Sequence, residues 1–330
     1  MSVLVRNKYQ IIEELGKGKF GIVYKAKTTD GQLVAIKYDI TDMSILKHEV
    51  TMLNYLHQRK CNSKNIPKIV WYGKSEIPSY NTCSGKGASS LCTTNSEGDR
   101  RSPEEFGQRD EVLTTTNFLG SRRLPEKFGI PGPYSCLVLP YYDCSLKQFM
   151  ARGPVDMQSF PLKSWMTDML HILQSIHQLY VIHRDLKPDN FMIKDSQIYL
   201  IDFGMSTFFI HGETGKHVPN NQEPKTEIIG SPMYASIHIH EGNKASRRDD
   251  CIQLGYIFLY MILGGHLPWE GIQCTDSTYP VSHILYPANQ ERCLQKKNML
   301  KVVTDPIGIY KYIVDCYELE YESTPSYLFP

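Results

Sequence analysis

The segment from His183 to Gly204, HRDLKPDNFMIKDSQIYLIDFG, is the feature that most restricts how this chain can fold. Two short apolar runs flank the turn-forming residues KDSQ, a pattern that predicts a β-hairpin. A polar cluster precedes the first strand, and Asp202 follows the second. The hairpin is therefore expected to bring Asn190 and Asp202 together.

The polar groups of this segment suit the transfer of a phosphoryl group. Asp185 can accept a hydroxyl proton or orient an attacking oxygen, and Lys187 can neutralise charge on the moving group. Asn190 and Asp202 offer the oxygen ligands that Mg²⁺ prefers. The alternative is a chance grouping of polar loop residues, which the unbroken run HRDLKPDN followed by DFG argues against.

Extended segments surround a glycine cluster near the start of the chain. Alternating apolar residues and a DG turn predict a three-stranded antiparallel meander over residues 9–38. Gly16, Gly18 and Gly21 have the GxGxxG spacing that lets a backbone approach phosphate closely. A dinucleotide-binding fold would need a helix next, whereas the run IVYKAKT follows. The loop is either a phosphate cover or an ordinary glycine-rich hairpin.

Lys37 and Glu49 form the next candidate pair. The run VAIK places Lys37 on the third strand of the meander, with Ala35 on the same face. On the following predicted helix, Glu49 shares a face with Ile45 and Leu53. A carboxylate on an apolar stripe favours a cation partner because an unpaired buried charge is costly. We therefore predict an ion pair, the alternative being that Glu49 only edges the helix.

The order of strand and helix patterns predicts the α+β class. Strand patterns dominate the first part of the chain and helical patterns the part after the run YSCLVLPYY. Residues from about 75 to 133 are rich in Ser, Thr, Gly and Asn, which indicates a flexible insertion. It is either a tolerated loop or a docking or autophosphorylated segment around Thr114–Thr116. The apolar run GYIFLYMILGG is shorter than the roughly 18 to 20 residues of a membrane helix and predicts a buried core helix.

These motifs, taken in order, resemble the eukaryotic protein kinase family. The resemblance implies a bilobal fold, with an antiparallel sheet and one main helix in the N-lobe and a mostly helical C-lobe. ATP and Mg²⁺ would bind in the cleft between the lobes. The expected domain is 9–330, with an N-lobe at 9–139, a hinge at 140–143 and a C-lobe at 144–330. Lys187 after HRDL is the form seen in serine/threonine kinases.

The same resemblance assigns the nucleotide site. Leu139 would be the gatekeeper, and the hinge would contact adenine through the Pro140 carbonyl and the Tyr142 N–H, since proline lacks only the donor. The apolar walls of the adenine slot would be Val23, Ala35, Met192 and Ile201. These four residues also fit a plain structural core, and the two interpretations are compatible.

The run GSPMYASIHIHEGNKASRRDD resembles the casein kinase 1 branch, in which YASI replaces the usual APE. The vaccinia-related group, which shares GHLPWE, is the second choice. The resemblance implies that the Ser231 hydroxyl bonds Asp185 and Lys187, and that Asp250 supports the catalytic loop. The paired arginines Arg247 and Arg248 are expected to pair locally with the adjacent aspartates rather than bind phosphate.

His238 and His240 alternate with isoleucine, which predicts a strand with both imidazoles on one face. Zinc would need further ligands, and no nearby Cys or His pair has suitable spacing, so a surface beside the substrate groove is preferred. Met233 stands where the casein kinase 1 family has a phosphate-binding arginine, although Arg184 and Lys225 remain. We therefore expect a weaker preference for primed, phosphorylated substrates.

Composition sets the wider expectations. The net charge of +1 gives no field for nucleic acid or an acidic membrane, and protein substrates are the expected partners of a monomer. Nine cysteines without CxxC spacing favour a cytoplasmic or nuclear compartment, and no signal peptide, lipidation site or autoinhibitory tail is expected. The rival functions are a pseudokinase scaffold, against which every chemical residue is present, and a small-molecule kinase, against which the YASI segment argues.

Overall fold

The computed structural model describes residues 4–18, 21–41, 44–77, 133–152, 162–274, 277–301 and 308–328. The predicted insertion at 75–133 lies outside the described residues except for its first three positions and its last. Across the described ranges, no helix is long and apolar enough to cross a membrane.

An antiparallel sheet of six strands forms the first lobe. Its strands are β1 Leu4–Val5, β2 Tyr9–Lys17, β3 Gly21–Thr28, β4 Leu33–Asp39, β5 Trp71–Ser75 and β6 Tyr134–Pro140. They are arranged in the order β1-β2-β3-β4-β6-β5, and β2 to β4 confirm the predicted meander. Alternate residues such as Ile22, Tyr24 and Ile36 are buried in a core on one face of the sheet, as the period of two along a strand requires.

One helix, α1 Ile45–Gln58, packs against this sheet and confirms the predicted helix. Its apolar stripe, including Leu46, Leu53 and Leu56, joins the main core of the molecule. The helix contacts both β6 and the 3-10 turn Phe203–Met205, so it links the sheet to the DFG segment.

The second lobe is mainly helical. Its helices are α2 Leu146–Met150, α3 Leu162–His177, α4 Ile237–His240, α5 Arg247–Ile262, α6 Pro287–Met299 and α7 Ile309–Tyr317. Its short strands are β7 Cys144–Ser145, β8 Val181–Ile182, β9 Phe191–Lys194, β10 Gln197–Leu200 and β11 Thr207–Phe208. The antiparallel pairing of β9 with β10 confirms the predicted hairpin. The two lobes together confirm the α+β, bilobal fold class.

Helix α5 lies at the centre of the second lobe. Every residue from Arg248 to Met261 is buried, which confirms the predicted core helix. It contacts α3 and α7, and burial on all sides explains why its sequence has no polar stripe. Its first turn carries Asp249 and Asp250, where carboxylates interact favourably with the helix dipole.

Helix α4 corrects the prediction of a strand at His238 and His240. The Ser236 side chain accepts a hydrogen bond of 3.2 Å from the Ile239 N–H and so caps the start of the helix. Over four residues, alternation of isoleucine and histidine fits one turn of helix as well as a strand. The favourable serine cap decides between them.

Candidate active site

The loop between β8 and β9 is held in a strained conformation by α5. Arg184 has a φ of 69°, in the left-handed region that non-glycine residues rarely adopt. The buried Asp250 carboxylate accepts the N–H of His183 at 2.6 Å and the N–H of Arg184 at 2.9 Å. Gln253 accepts the N–H of Leu186 at 2.9 Å. These contacts from one rigid helix offset the strain and fix the loop.

Asp185 is the centre of this loop. Its Oδ1 accepts the backbone N–H of Ser231 at 2.8 Å, and its Oδ2 accepts the Lys187 ammonium at 2.7 Å. Lys187 also donates to the Ser231 hydroxyl at 3.2 Å. The Ser231 hydroxyl was expected to bond both side chains. It contacts Lys187, whereas Asp185 is reached by the backbone N–H of the same residue.

Lys37 lies between two carboxylates. Its ammonium donates to Glu49 Oε2 at 2.8 Å and to Asp202 Oδ1 at 3.0 Å, so the predicted Lys37–Glu49 contact is confirmed. Burial alone would lower the pKa of Lys37, but the Asp202 and Glu49 carboxylates outweigh it and raise the pKa above its ordinary value. Burial likewise opposes ionisation of Asp202, and the Lys37 ammonium outweighs it, so the pKa of Asp202 is lowered.

Asn190 and Asp202 are brought together by the hairpin, as predicted. The Ile201 N–H donates to the Asn190 carbonyl at 2.9 Å, which places Asp202 beside the end of the preceding loop. The Asn190 amide nitrogen donates to the Asp185 carbonyl at 2.8 Å. Asp202 adopts a φ of 64°, and its side chain keeps 36% of its surface exposed.

The remaining predicted nucleotide-site residues lie on β3, β4 and β6, in the segment after β6, and on or just after the β9–β10 hairpin. Ala35 pairs with Leu139, and the preceding residue of β4 pairs with Pro140. The predicted walls of the adenine slot are half-buried; they are Val23, Ala35, Met192 and Ile201. Most of the residues next to them in sequence are buried. Leu139 and Tyr142 are buried.

Comparison with known proteins agrees with this geometry. A family model for the protein kinase domain matches residues 128–301. Casein kinase I homolog 2 of Schizosaccharomyces pombe is 31% identical over 171 residues, which are 49% of this chain and 37% of that protein. Casein kinase I homolog 1 of the same organism is 34% identical over 169 residues, 48% of this chain and 35% of that protein.

The chain belongs to the protein kinase family, and over about half of its length it is similar to casein kinase I homologs. The matched region spans little more than a third of the length of either relative.

The kinase cleft contains groups that fit ATP and Mg²⁺. The protein kinase family generally uses both ATP and Mg²⁺. The oxygen atoms available at Asn190 and Asp202 are the ligands that Mg²⁺ would need. Asn190 uses its amide nitrogen on Asp185, so its amide oxygen is the atom that a cation would take, together with the Asp202 carboxylate. A Cβ built on Gly16 or Gly18 would meet no atom within 4 Å, so the glycine loop leaves open space for phosphates.

The segment that follows DFG packs against the main core and is fixed to α6. The Met233 carbonyl accepts the Trp269 indole N–H at 2.8 Å, and the Met233 side chain is partly buried against the main core. Lys296 donates to the carbonyls of Pro232 and Ala235 at 3.0 and 2.7 Å. The chain on both sides of Met233 is therefore fixed to α6.

His238 and His240 do not form the substrate-side surface expected from the sequence. His240 is 6% exposed, and its Nε2 lies 3.1 Å from the Lys296 ammonium. Burial and this cation lower the pKa of His240 to about 2. The ring of His238 packs against Tyr317. His240 therefore contacts α6 and His238 packs on α7, and within the described residues no group of three or more His, Cys, Asp or Glu side chains could hold a metal.

The arginine pair differs partly from its prediction. Arg248 lies 3.9 Å from Asp249, as expected of local pairing, but it also donates to the Leu319 carbonyl at 2.7 Å. Arg247 donates to the Glu322 carbonyl and to Thr324 Oγ1. The pair anchors the C-terminal segment instead of pairing with the adjacent aspartates alone.

Sequence reasoning missed three residues that support this site: Gln253, His177 and Lys296. Gln253 lies one turn after Asp250 on α5, and that helical spacing could have pointed to it. His177 donates its Nε2–H to Asp250 at 3.1 Å from the end of α3. Neither His177 nor Lys296 carries a sequence signal, because their partners are distant in the chain.

Proposed function

We propose that this protein is an ATP-dependent serine/threonine protein kinase of casein kinase 1 type. The observation that carries the proposal is the orientation of the Asp185 carboxylate, which Ser231 and Lys187 hold through its two oxygens at 2.8 and 2.7 Å. A fixed carboxylate beside a fixed ammonium suits proton removal from a hydroxyl and neutralisation of a phosphoryl group. The paired Lys37 and Asp202 supply the groups for the nucleotide phosphates and the cation.

Each residue of the site would have a separate role in the reaction. Asp185 would accept the proton of a serine or threonine hydroxyl while the oxygen forms its bond to the γ-phosphorus and the bond to the ADP oxygen breaks. Lys187 would stabilise negative charge on the moving phosphoryl group, and Lys37 would orient the non-transferred phosphates. Mg²⁺ held by Asn190 and Asp202 would neutralise charge on the phosphate oxygens. The low exposure of Asp185, 8%, limits competition from water.

A transfer assay with radiolabelled ATP and casein tests the proposal. The wild type is expected to label casein, and Lys37→Met and Asp185→Asn are expected to lose at least about 99% of the rate while remaining folded by circular dichroism. A pseudokinase would bind ATP or partners without any transfer by the wild type. Equal labelling by wild type and both variants would point to a contaminating kinase and remove the support for the proposal.

We extend the proposal to a weak preference for primed substrates. Two contacts support it. The Met233 side chain packs against the core and offers no charge, and the Arg184 Nε donates to the Met205 carbonyl at 2.6 Å. Burial lowers the pKa of Arg184 to about 10, so it stays a cation at neutral pH, but this hydrogen bond occupies part of the guanidinium. A primed peptide phosphorylated at least about tenfold better than its unprimed counterpart would overturn this part of the proposal.

A cytoplasmic or nuclear location forms the last part of the proposal. The cysteines that the structure describes all carry free thiols, and four of the seven are buried. Free buried thiols are compatible with a reducing compartment. Imaging of the full chain fused to a fluorescent protein tests this, and a secretory or surface pattern would contradict it.

A further inference from the structure

The C-terminal segment from Glu318 to Leu328, here called the C-terminal strap, packs back on the start of α5. Arg247 and Arg248 hold it through the Glu322 and Leu319 carbonyls, with a further bond of 3.1 Å from Arg247 to Thr324. The Arg247 guanidinium also lies 4.6 Å from the centre of the Phe209 ring. The strap is therefore fixed beside the helix that supports the catalytic loop.

Tyr327 of the strap contacts a buried histidine on the far side of that support. Its hydroxyl lies 2.7 Å from His177 Nδ1, and His177 Nε2 lies 3.1 Å from Asp250 Oδ2. The His177 side chain is 1% exposed and the Asp250 side chain 0%, so the contact between them is closed to water. The three groups form a continuous chain of hydrogen bonds.

The chemistry of the three groups fixes which atom donates and which accepts in each of the two hydrogen bonds. Asp250 also accepts the N–H groups of His183 and Arg184, so its carboxylate acts only as an acceptor. Burial raises the pKa of Asp250, but the bonds from His177 and the loop outweigh it and keep the pKa below its ordinary value. His177 must therefore donate through Nε2. As burial lowers the pKa of His177, its ring is neutral, and Nδ1 can only accept from the Tyr327 O–H.

Asp250 connects this series of hydrogen bonds to the catalytic loop. It holds the two residues before Asp185, including Arg184 in its strained conformation with φ of 69°. If the His177 ring turned away, Nε2 would no longer donate to the Asp250 carboxylate. Asp250 would then lose one of the bonds that fix its carboxylate beside the loop.

We propose that Tyr327 is a positioning residue for the phosphoryl-transfer reaction, because its hydroxyl bonds Nδ1 and holds the His177 ring in the orientation in which Nε2 donates to Asp250, the residue that holds the catalytic loop. The inference rests on the proposed kinase function. If it is correct, the docked C-terminal strap positions the catalytic loop in addition to packing against α5. Loss of the hydroxyl should reduce turnover more than substrate binding, because the catalytic loop and not the nucleotide slot is released.

The test compares Tyr327→Phe with Tyr321→Phe. Tyr321 lies in the same strap, packs beside Arg248 and loses the same hydroxyl on substitution. We expect Tyr327→Phe to lower kcat about tenfold with KM for ATP within about twofold, while Tyr321→Phe matches the wild type. Hydrogen exchange at the amides of His183 and Arg184 should become faster in Tyr327→Phe only. Equal kcat and equal exchange in the two variants would overturn the proposal.

A second substitution separates positioning from a general loss of stability. In His177→Gln, the side-chain amide can donate to Asp250, but no imidazole ring remains for Tyr327 to orient. If Tyr327 acts through His177, adding Tyr327→Phe to His177→Gln should change kcat by less than about twofold. A full tenfold fall on both backgrounds would show that Tyr327 acts by another route. If the wild type transfers no phosphate, the proposed function fails, and the exchange rates of the two loop amides still decide whether Tyr327 holds the loop.

Discussion

Gly230 and the Arg184 carbonyl approach each other so closely that a Cβ on the glycine would lie 2.4 Å from the oxygen. Gly230 also has a φ of 88°, in the left-handed region. This contact brings the segment after DFG onto the catalytic loop, where the next residue, Ser231, donates to Asp185. Only glycine satisfies both the conformation and the distance.

Gly230→Ala is therefore expected to lower activity more than an alanine substitution at an ordinary turn glycine. Gly264→Ala is the matched control, because Gly264 has a φ of 74° but a Cβ added there would meet no atom within 4 Å. Both variants should lose about 1 kcal/mol of unfolding free energy from backbone strain, and Gly230→Ala should lose more because its Cβ would clash with the Arg184 carbonyl. Only Gly230→Ala should also lower kcat, by about tenfold or more, as Asp185 loses its bond from Ser231. Denaturant unfolding and steady-state kinetics check this, and equal kcat values would contradict it.

Glu49→Gln tests the buried ion pair. The Lys37–Glu49 contact is 2.8 Å long with Glu49 1% exposed, whereas the Lys25–Glu13 contact of 3.3 Å leaves Glu13 55% exposed. Removing one partner of a buried pair is costly, and exposed pairs contribute little. We expect Glu49→Gln to lower kcat/KM for ATP at least about tenfold and Glu13→Gln to change it less than about twofold. A similar kcat/KM for the two variants would show that Asp202 alone orients Lys37.

The catalytic groups could be predicted from sequence because their chemistry demands particular residue types at short spacing. Asp185, Lys187 and Asn190 lie within six consecutive positions, and a hairpin of recognisable pattern brings Asp202 beside them. The Lys37–Glu49 contact followed from a charged group on an apolar helix face. Local pattern and burial cost were sufficient for these residues.

The supporting contacts could not be predicted in the same way. His177 meets Tyr327 across 150 positions of sequence and Lys296 meets Ala235 across 61, and no local pattern encodes such distances. The strand predicted at His238 was wrong because four alternating residues do not distinguish a period of 2 from a period of 3.6. Tertiary packing, with a serine cap, decided the conformation there.

His240 should make the protein less stable in mild acid. Its pKa is about 2 when folded, through burial and Lys296, against 6.5 as the reference value. The unfolded chain therefore binds a proton below about pH 6.5 that the folded chain refuses, so stability falls as pH falls. Between pH 7.5 and 5.5, protonation of this group in the unfolded chain should cost about 1 kcal/mol of unfolding free energy.

His240→Gln, which keeps an acceptor for Lys296 but does not titrate, should reduce the acid-induced loss by that amount. His266→Gln is the control, because the His266 side chain is 81% exposed. Chemical denaturation at the two pH values measures the difference. If His240→Gln and His266→Gln show the same loss as the wild type, the protonation of His240 does not contribute.

Met233→Arg should restore a preference for primed substrates. The backbone at this position is fixed, since the Met233 carbonyl accepts the Trp269 N–H and Lys296 holds the neighbouring carbonyls, so substitution changes the side chain without moving the segment. A guanidinium can form two charge-assisted bonds to a phosphate. We expect the ratio of kcat/KM for a primed peptide to that for its unprimed counterpart to rise about tenfold. Met233→Gln, polar but uncharged, should leave the ratio near that of the wild type. If the arginine and glutamine variants give the same ratio, the position does not contact the priming phosphate, and the low preference proposed for the wild type must have another cause.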